Sequence, residues 1–303
     1  SCIYLNRIVL EHATPVQNSG VVTKQQDVAD DQERSIIPKE ASALVQYGDS
    51  IYLNGDWDGS PVVIEEYKLI FFTSAKVACT SFKQLFRRMM GHSDWSVEEY
   101  NRMLPWNPDT NGLMYLYDFD RETASSLLTN PDWIKAIFVR DPKERFLSAY
   151  LDKVMQHETY LRDKCCYYTG DCFEKARSSV LGFLQVAKFC DDSHWRPQNC
   201  RMQDKYWKCI NFVGHMETLQ ADAERLLRQI GAWERFGQSG WGKYGNESMF
   251  QAKAGGAGRP HATNAQSKLR KYFSAEAEEA VDEYYQLDYV NPVMNLTRLV
   301  LFD

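Results

Sequence analysis

Three groups of side chains in this sequence could do chemistry. Lys76 lies in Thr73-Ser74-Ala75-Lys76-Val77-Ala78-Cys79-Thr80-Ser81, a run of small residues with one mobile positive charge. Arg140 and Ser148 combine a planar guanidinium fork, suited to a phosphate, with a hydroxyl donor. His194 stands in His194-Trp195-Arg196-Pro197-Gln198, where a neutral imidazole can take a proton near pH 7. Taken singly, each has an ordinary structural reading. A lysine in a turn is solvated, Arg140 and Asp141 make a local ion pair, and a histidine beside a tryptophan is packed. Their order relative to the surrounding elements makes them a set.

The elements come from hydrophobic periodicity. Leu69-Ile70-Phe71-Phe72 reads as a buried strand, and Phe82, Leu85, Phe86 and Met89 recur at helical spacing between Thr80 and Met90. The turn between them would aim successive backbone N–H groups and a helix N-terminus at one point, with Thr80 and Ser81 as helix caps. Such a point favours an anion. Trp133 to Val139 reads as a second buried strand ending at Arg140-Asp141-Pro142, with Pro142 suited to a first helical turn. A helix is expected from Lys143 or Glu144 to about Met155, with Phe146, Ala149, Tyr150 and Val154 inward. Ser148 then lies two turns along it, within reach of Arg140. Shorter helices are expected near Arg121 to Leu128 and over Ser178 to Lys188. Cys209 to Val213 reads as a third strand, and Met216 to Ile230 as an amphipathic helix stopped by Gly231. This alternation predicts a single α/β domain with a central, mainly parallel sheet and ligands beyond the strands' carboxyl ends. Anion chemistry after two strands suits a nucleotide with phosphates at both ends of its ribose.

Composition bounds the rest. The 303 residues are 44% hydrophobic and 13% aromatic, as in a globular protein. Lysine plus arginine number 35 against 41 acidic residues, a net charge of −6, so bulk electrostatics do not indicate a nucleic-acid partner. No apolar run of about 18 residues occurs to span a membrane. Residues 1–48 read as a stem or linker, and the expectation is a membrane anchor ahead of Ser1 in a longer chain. Six of the eight cysteines, Cys165, Cys166, Cys172, Cys190, Cys200 and Cys209, fall within 160–209. With glycosylation triplets at Asn246 and Asn295 they favour an oxidising compartment and three disulfides among the six. A zinc site including His194 is the rival, against which stands the lack of paired C-x₂-C spacing. Seven glycines within 237–262 make a loop that can serve as a lid. The G-x-x-x-x-G-K-[ST] loop of ATPases and kinases is absent.

Several of these segments resemble one family. SAKVACTSFK (74–83) resembles the 5′-phosphosulfate-binding loop of Golgi carbohydrate sulfotransferases, in the chondroitin 4-O- and HNK-1 sulfotransferase branch. FVRDPKERFLSAYLDK (138–153) resembles its 3′-phosphate-binding motif. HWRPQ (194–198), FVGHMETLQADAERLLRQIG (212–231) and YFSAEAEEAVDEYYQLDY (272–289) resemble later blocks, in order. Two departures are Ala75, where the family usually has proline, and Phe82, where it often has tryptophan.

The resemblance implies the P-loop-like sulfotransferase fold over 49–303, with a cysteine-rich insertion at about 160–209. It implies transfer of a sulfuryl group from 3′-phosphoadenosine 5′-phosphosulfate (PAPS) to a glycan hydroxyl, with no metal, in the Golgi lumen or after secretion. Lys76 would contact the bridging oxygen. Val77, Ala78, Cys79, Thr80 and Ser81 would cradle the 5′-phosphate, while Arg140 and Ser148 would hold the 3′-phosphate. His194 is the candidate general base, ahead of Glu144, Asp152 and His157. His261 is expected near the nucleotide. Sulfation of a small molecule or peptide is the alternative within the class. A nucleotide kinase and an inactive glycan-binding relative are the alternatives outside it.

Overall fold

The computed structural model describes residues 43–53, 59–96, 105–167, 170–251 and 263–302. Most of the expected stem and part of the glycine loop therefore lie outside the described residues. From Leu44 to Asp303 the chain is one compact unit. Val45 is buried in it, its N–H donating to Ser125 Oγ at 3.0 Å.

The centre is a four-stranded sheet in sequence order, β1 (Val62–Ile64), β2 (Leu69–Phe72), β3 (Ile134–Val139) and β4 (Phe212–His215). β1 runs antiparallel to β2, with Val62 opposite Phe71. The others are parallel, Phe72 opposite Ile137 and Val139 opposite His215. β2 is buried throughout, as a parallel strand covered on both faces must be. On one face Phe71, Phe82, Phe86, Phe138 and Phe212 form the core; on the other, Ile70, Phe72, Leu116, Ile137 and Trp207. β1 gave no readable signal, because three residues behind Pro61 are too short for a periodicity.

β2 leads into α1 (Cys79–Met89), and α2 (Arg121–Thr129) precedes β3. After β3 comes α3 (Pro142–Ala149), whose N-cap Asp141 accepts from the Glu144 N–H. The expected single helix to Met155 instead widens into π turns over Tyr150–Gln156, followed by α4 (Glu158–Leu161). The insertion holds α5 (Gly170–Ser178), α6 (Val180–Ala187) and α7 (Asp204–Trp207). Beyond β4 lie α8 (Leu219–Gln229), α9 (Leu269–Tyr272), α10 (Ala275–Tyr284) and α11 (Gln286–Val290). Gly231 takes φ 71°, the left-handed stop expected of it. A third core joins α3, α6 and α10 through Phe146, Phe183, Trp195 and Tyr285.

Two expectations need correction. The third parallel strand begins at Phe212, not Cys209. Cys209 ends a turn on Tyr206 O, while the Asn211 amide clasps the start of β3 through the Lys135 N–H and Trp133 O. Nor do the six cysteines make three bridges among themselves. Cys165 pairs with Cys190 and Cys166 with Cys172; Cys200 is also bonded, but Cys209 is a free thiol turned toward Lys205 O.

Candidate active site

The turn from β2 to α1 is built without glycine, yet two of its residues are left-handed: Lys76 at φ 66° and Ala78 at φ 54°. Each costs on the order of 1 kcal/mol for an L-residue. A bond from the Val77 N–H to Ser74 O, 3.2 Å, closes the turn. Ala78, not Thr80 or Ser81, is the N-cap of α1, and it makes no side-chain cap bond. The expected caps are thus inside the first helical turn, which leaves that turn's N–H groups without a side-chain cap and oriented for an anion. Thr80 Oγ1 accepts from Trp106 Nε1 at 2.6 Å. Thr73 Oγ1 and Ser74 Oγ are buried without a hydrogen-bond partner among the described residues.

Arg140 follows β3 directly and is 8% exposed. Gln198 holds its backbone from both sides, accepting from its N–H at 3.0 Å and donating to its carbonyl at 2.8 Å. Its guanidinium turns to the neighbouring loop. Nη1 donates to Lys76 O at 3.2 Å, and Nε faces Glu144 Oε2 at 3.4 Å. The two strand-end turns therefore adjoin. Burial pushes the Asp141 and Glu144 carboxyls up, and the Glu217 charge adds to this. Ser148 lies in α3 as expected, buried, but its hydroxyl accepts from Thr263 Oγ1 at 3.0 Å and makes no bond to Arg140. His261 lies outside the described residues.

Lys76 ends on a carboxylate. Its Nζ is 2.9 Å from Asp152 Oδ2, in the π turn after α3. The same oxygen is 3.4 Å from Lys153 Nζ, and Asp152 Oδ1 is 2.9 Å from His157 Nδ1. Burial pushes the Lys76 ammonium down while Asp152 holds it up. Burial also opposes the Asp152 charge, but Lys76 and Lys153 outweigh it and keep the carboxyl well below its usual range.

His194 has its own carboxylate. Nδ1 is 2.6 Å from Asp192 Oδ1, and Tyr160 donates to Asp192 Oδ2 at 2.7 Å. Burial raises Asp192, but the bond and charge of His194 and the Tyr160 hydroxyl hold it at about 2. An anionic partner at Nδ1 fixes the tautomer with the proton there, leaving Nε2 to accept. The imidazole keeps 20% exposure, enough for a substrate to reach it.

Arg145 connects these parts, and sequence reasoning missed it. Buried in α3, it donates to Ala75 O (3.0 Å), Ser193 O (2.6 Å) and Arg196 O (2.7 Å). One guanidinium thus ties the lysine turn to the segment carrying His194. A second link runs from Asp152 through Lys153, whose Nζ lies 4.6 Å from the Tyr160 ring centroid, to Tyr160 and Asp192. Arg140 touches the Lys76 turn, Arg145 ties that turn to the segment bearing His194, and Ser148 is held by Thr263 instead of Arg140.

Comparison with known proteins places the chain among sulfotransferases. Human carbohydrate sulfotransferase 9 is 25% identical over 246 residues, covering 75% of this chain and 51% of the relative. Rat carbohydrate sulfotransferase 10 is 26% identical over 187 residues, covering 56% and 52%. Zebrafish (Danio rerio) carbohydrate sulfotransferase 14 is 26% identical over 192 residues, covering 56% and 48%. The chain therefore spans about half the length of the curated relatives it matches. No solved structure matches it. The pattern of the Sulfotransferase family matches residues 61–291, from just before β1 to just past α11, and the chain belongs to that family.

Proposed function

We propose that this chain transfers a sulfuryl group from PAPS to a hydroxyl of a glycan in the Golgi lumen. The observation that carries the reading is the contact of Arg140 Nη1 with Lys76 O, which sets two cationic strand ends side by side. A nucleotide with phosphates at both ends of its ribose needs that pairing. The relatives' names supply the glycan class.

In this reading the first turn of α1 and residues 77–81 receive the 5′-phosphate, and Arg140 and Ser148 the 3′-phosphate. His261 lies nearby. The acceptor oxygen attacks sulfur as the bond from sulfur to the bridging oxygen breaks. The hydroxyl proton passes to His194 Nε2. The electron pair of the broken bond stays on the 5′-phosphate of the leaving 3′-phosphoadenosine 5′-phosphate (PAP), met by Lys76 and the loop N–H groups. Catalysis is then positioning plus stabilisation of leaving-group charge, as in phosphoryl transfer.

The test is transfer of labelled sulfate from PAPS to a glycan panel by wild type and His194→Ala. Transfer should fall about 10²–10⁴-fold in the variant, with PAP binding intact. Near-normal turnover would remove His194 from the mechanism, and no transfer by wild type to any glycan would remove the acceptor class.

A further inference from the structure

Two lysines share one oxygen of a buried carboxylate. Lys76 Nζ stands 2.9 Å and Lys153 Nζ 3.4 Å from Asp152 Oδ2, and the Asp152 side chain is 5% exposed. Lys153 is not required there as a counter-ion. Lys76 already meets Oδ2 at 2.9 Å and balances the carboxylate charge. Its charge pushes the Lys76 ammonium further down, so the two cations repel at close range. A second cation in such a place finds its use when an anion with two acidic groups arrives.

The position of Lys153 says which group it meets. Its ammonium lies over the Tyr160 ring, and the Tyr160 hydroxyl is bonded to Asp192 and lies 3.3 Å from His194 Nδ1. Along this chain of contacts Lys153 stands between Lys76 and His194. In an in-line transfer the sulfur stands between the leaving oxygen and the acceptor oxygen. Lys153 holds the matching place in the contact order, between the leaving-group cation and the base. The donor's phosphate and sulfuryl groups share one bridging oxygen, much as the two lysines share one carboxylate oxygen. Lys153 keeps 19% side-chain exposure and can turn from Asp152 to a ligand.

We propose that Lys153 binds the sulfuryl oxygens of the donor and holds them through the transfer. The inference rests on the sulfotransferase reading above, and binding measurements separate the two without an acceptor. PAP and PAPS carry nearly the same charge at neutral pH, but PAP keeps both 5′ charges on its phosphate while PAPS carries one on the sulfuryl group. The change of their affinity ratio from wild type to variant therefore reports the contact of Lys153 with that group. Calorimetric titration of wild type, Lys153→Met and Lys153→Arg with each nucleotide makes the test. The ratio of PAPS to PAP affinity should be about tenfold higher in wild type than in Lys153→Met, the value of one charge-assisted contact. Lys153→Met should keep PAP affinity within about twofold and lose PAPS affinity about tenfold, and Lys153→Arg should retain most of it. An unchanged affinity ratio in Lys153→Met, or a parallel loss of PAP and PAPS binding, would overturn the assignment. Wild type that binds neither nucleotide would instead overturn the donor reading.

Discussion

A buried ammonium needs a counter-ion, and Lys76 finds it in Asp152, 76 positions away in sequence. That separation is why the pairing of Asp152 with Lys76, and the parts of Lys153 and Arg145, were not legible in the sequence, where Asp152 stood only among the weaker candidates for general base. Each looks like an ordinary charge on a helix until the fold sets it against the β2–α1 turn. Lys76, Arg140, Ser148 and His194 were singled out by residue type and flanking pattern; the structure joins Arg140 to the Lys76 turn and leaves Ser148 bonded to Thr263, and their roles belong to the proposal. The Asp192–His194 pair has a consequence for stability. The Asp192 carboxyl is depressed to about 2 in the folded chain, below its unfolded value of about 4. Its contribution is present above about pH 4 and is lost as pH falls through about 2; a shift of this size is worth about 2 kcal/mol. Asp192→Asn should remove that part of the acid dependence. Denaturant titrations of wild type and variant between pH 6 and 3 check it, and parallel curves would contradict it.

At the scale of elements, β2, β3, α1, α8 and the short α2 were legible in the sequence within a few residues, while β4 starts three residues later than expected and β1 left no signal. What periodicity cannot show is backbone hand and winding. No glycine announces the left-handed Lys76 and Ala78, yet that conformation, not a hydroxyl cap, lets the lysine turn enter α1. The π turn over Tyr150–Gln156 is equally silent, since its apolar spacing also fits an α-helix, and it carries Asp152 and Lys153. Arg145 locks these pieces by three bonds to carbonyls on two loops. Arg145→Met should cost about 2–4 kcal/mol of stability, because it leaves those carbonyls unsatisfied. It should also weaken PAP binding. Arg145→Lys should restore only part, because one ammonium cannot span all three acceptors. Thermal melts with PAP titration decide this, and a wild-type melting temperature for Arg145→Met would contradict it.

For the whole molecule, a chain of net charge −6 has to gather its positive charge at one place to hold a multiply charged nucleotide. The sheet does this by ending β2 and β3 side by side, with Phe71, Phe82 and Phe138 packed beneath. The cysteine-rich segment fixes the neighbourhood of His194, since Trp195 Nε1 donates to the carbonyl of Cys190, which is bridged to Cys165. The sequence showed cysteine density but not pairing, because partners are chosen by tertiary contact. The central claim is that the turns after β2 and β3 form one site for a nucleotide with two phosphates. Calorimetric titration with PAP, on wild type and Arg140→Ala, tests it most directly. Micromolar or tighter binding is expected for wild type, weakened about 100-fold in the variant by loss of a charge-assisted phosphate contact. No binding by folded wild type, or equal binding by Arg140→Ala, would contradict it.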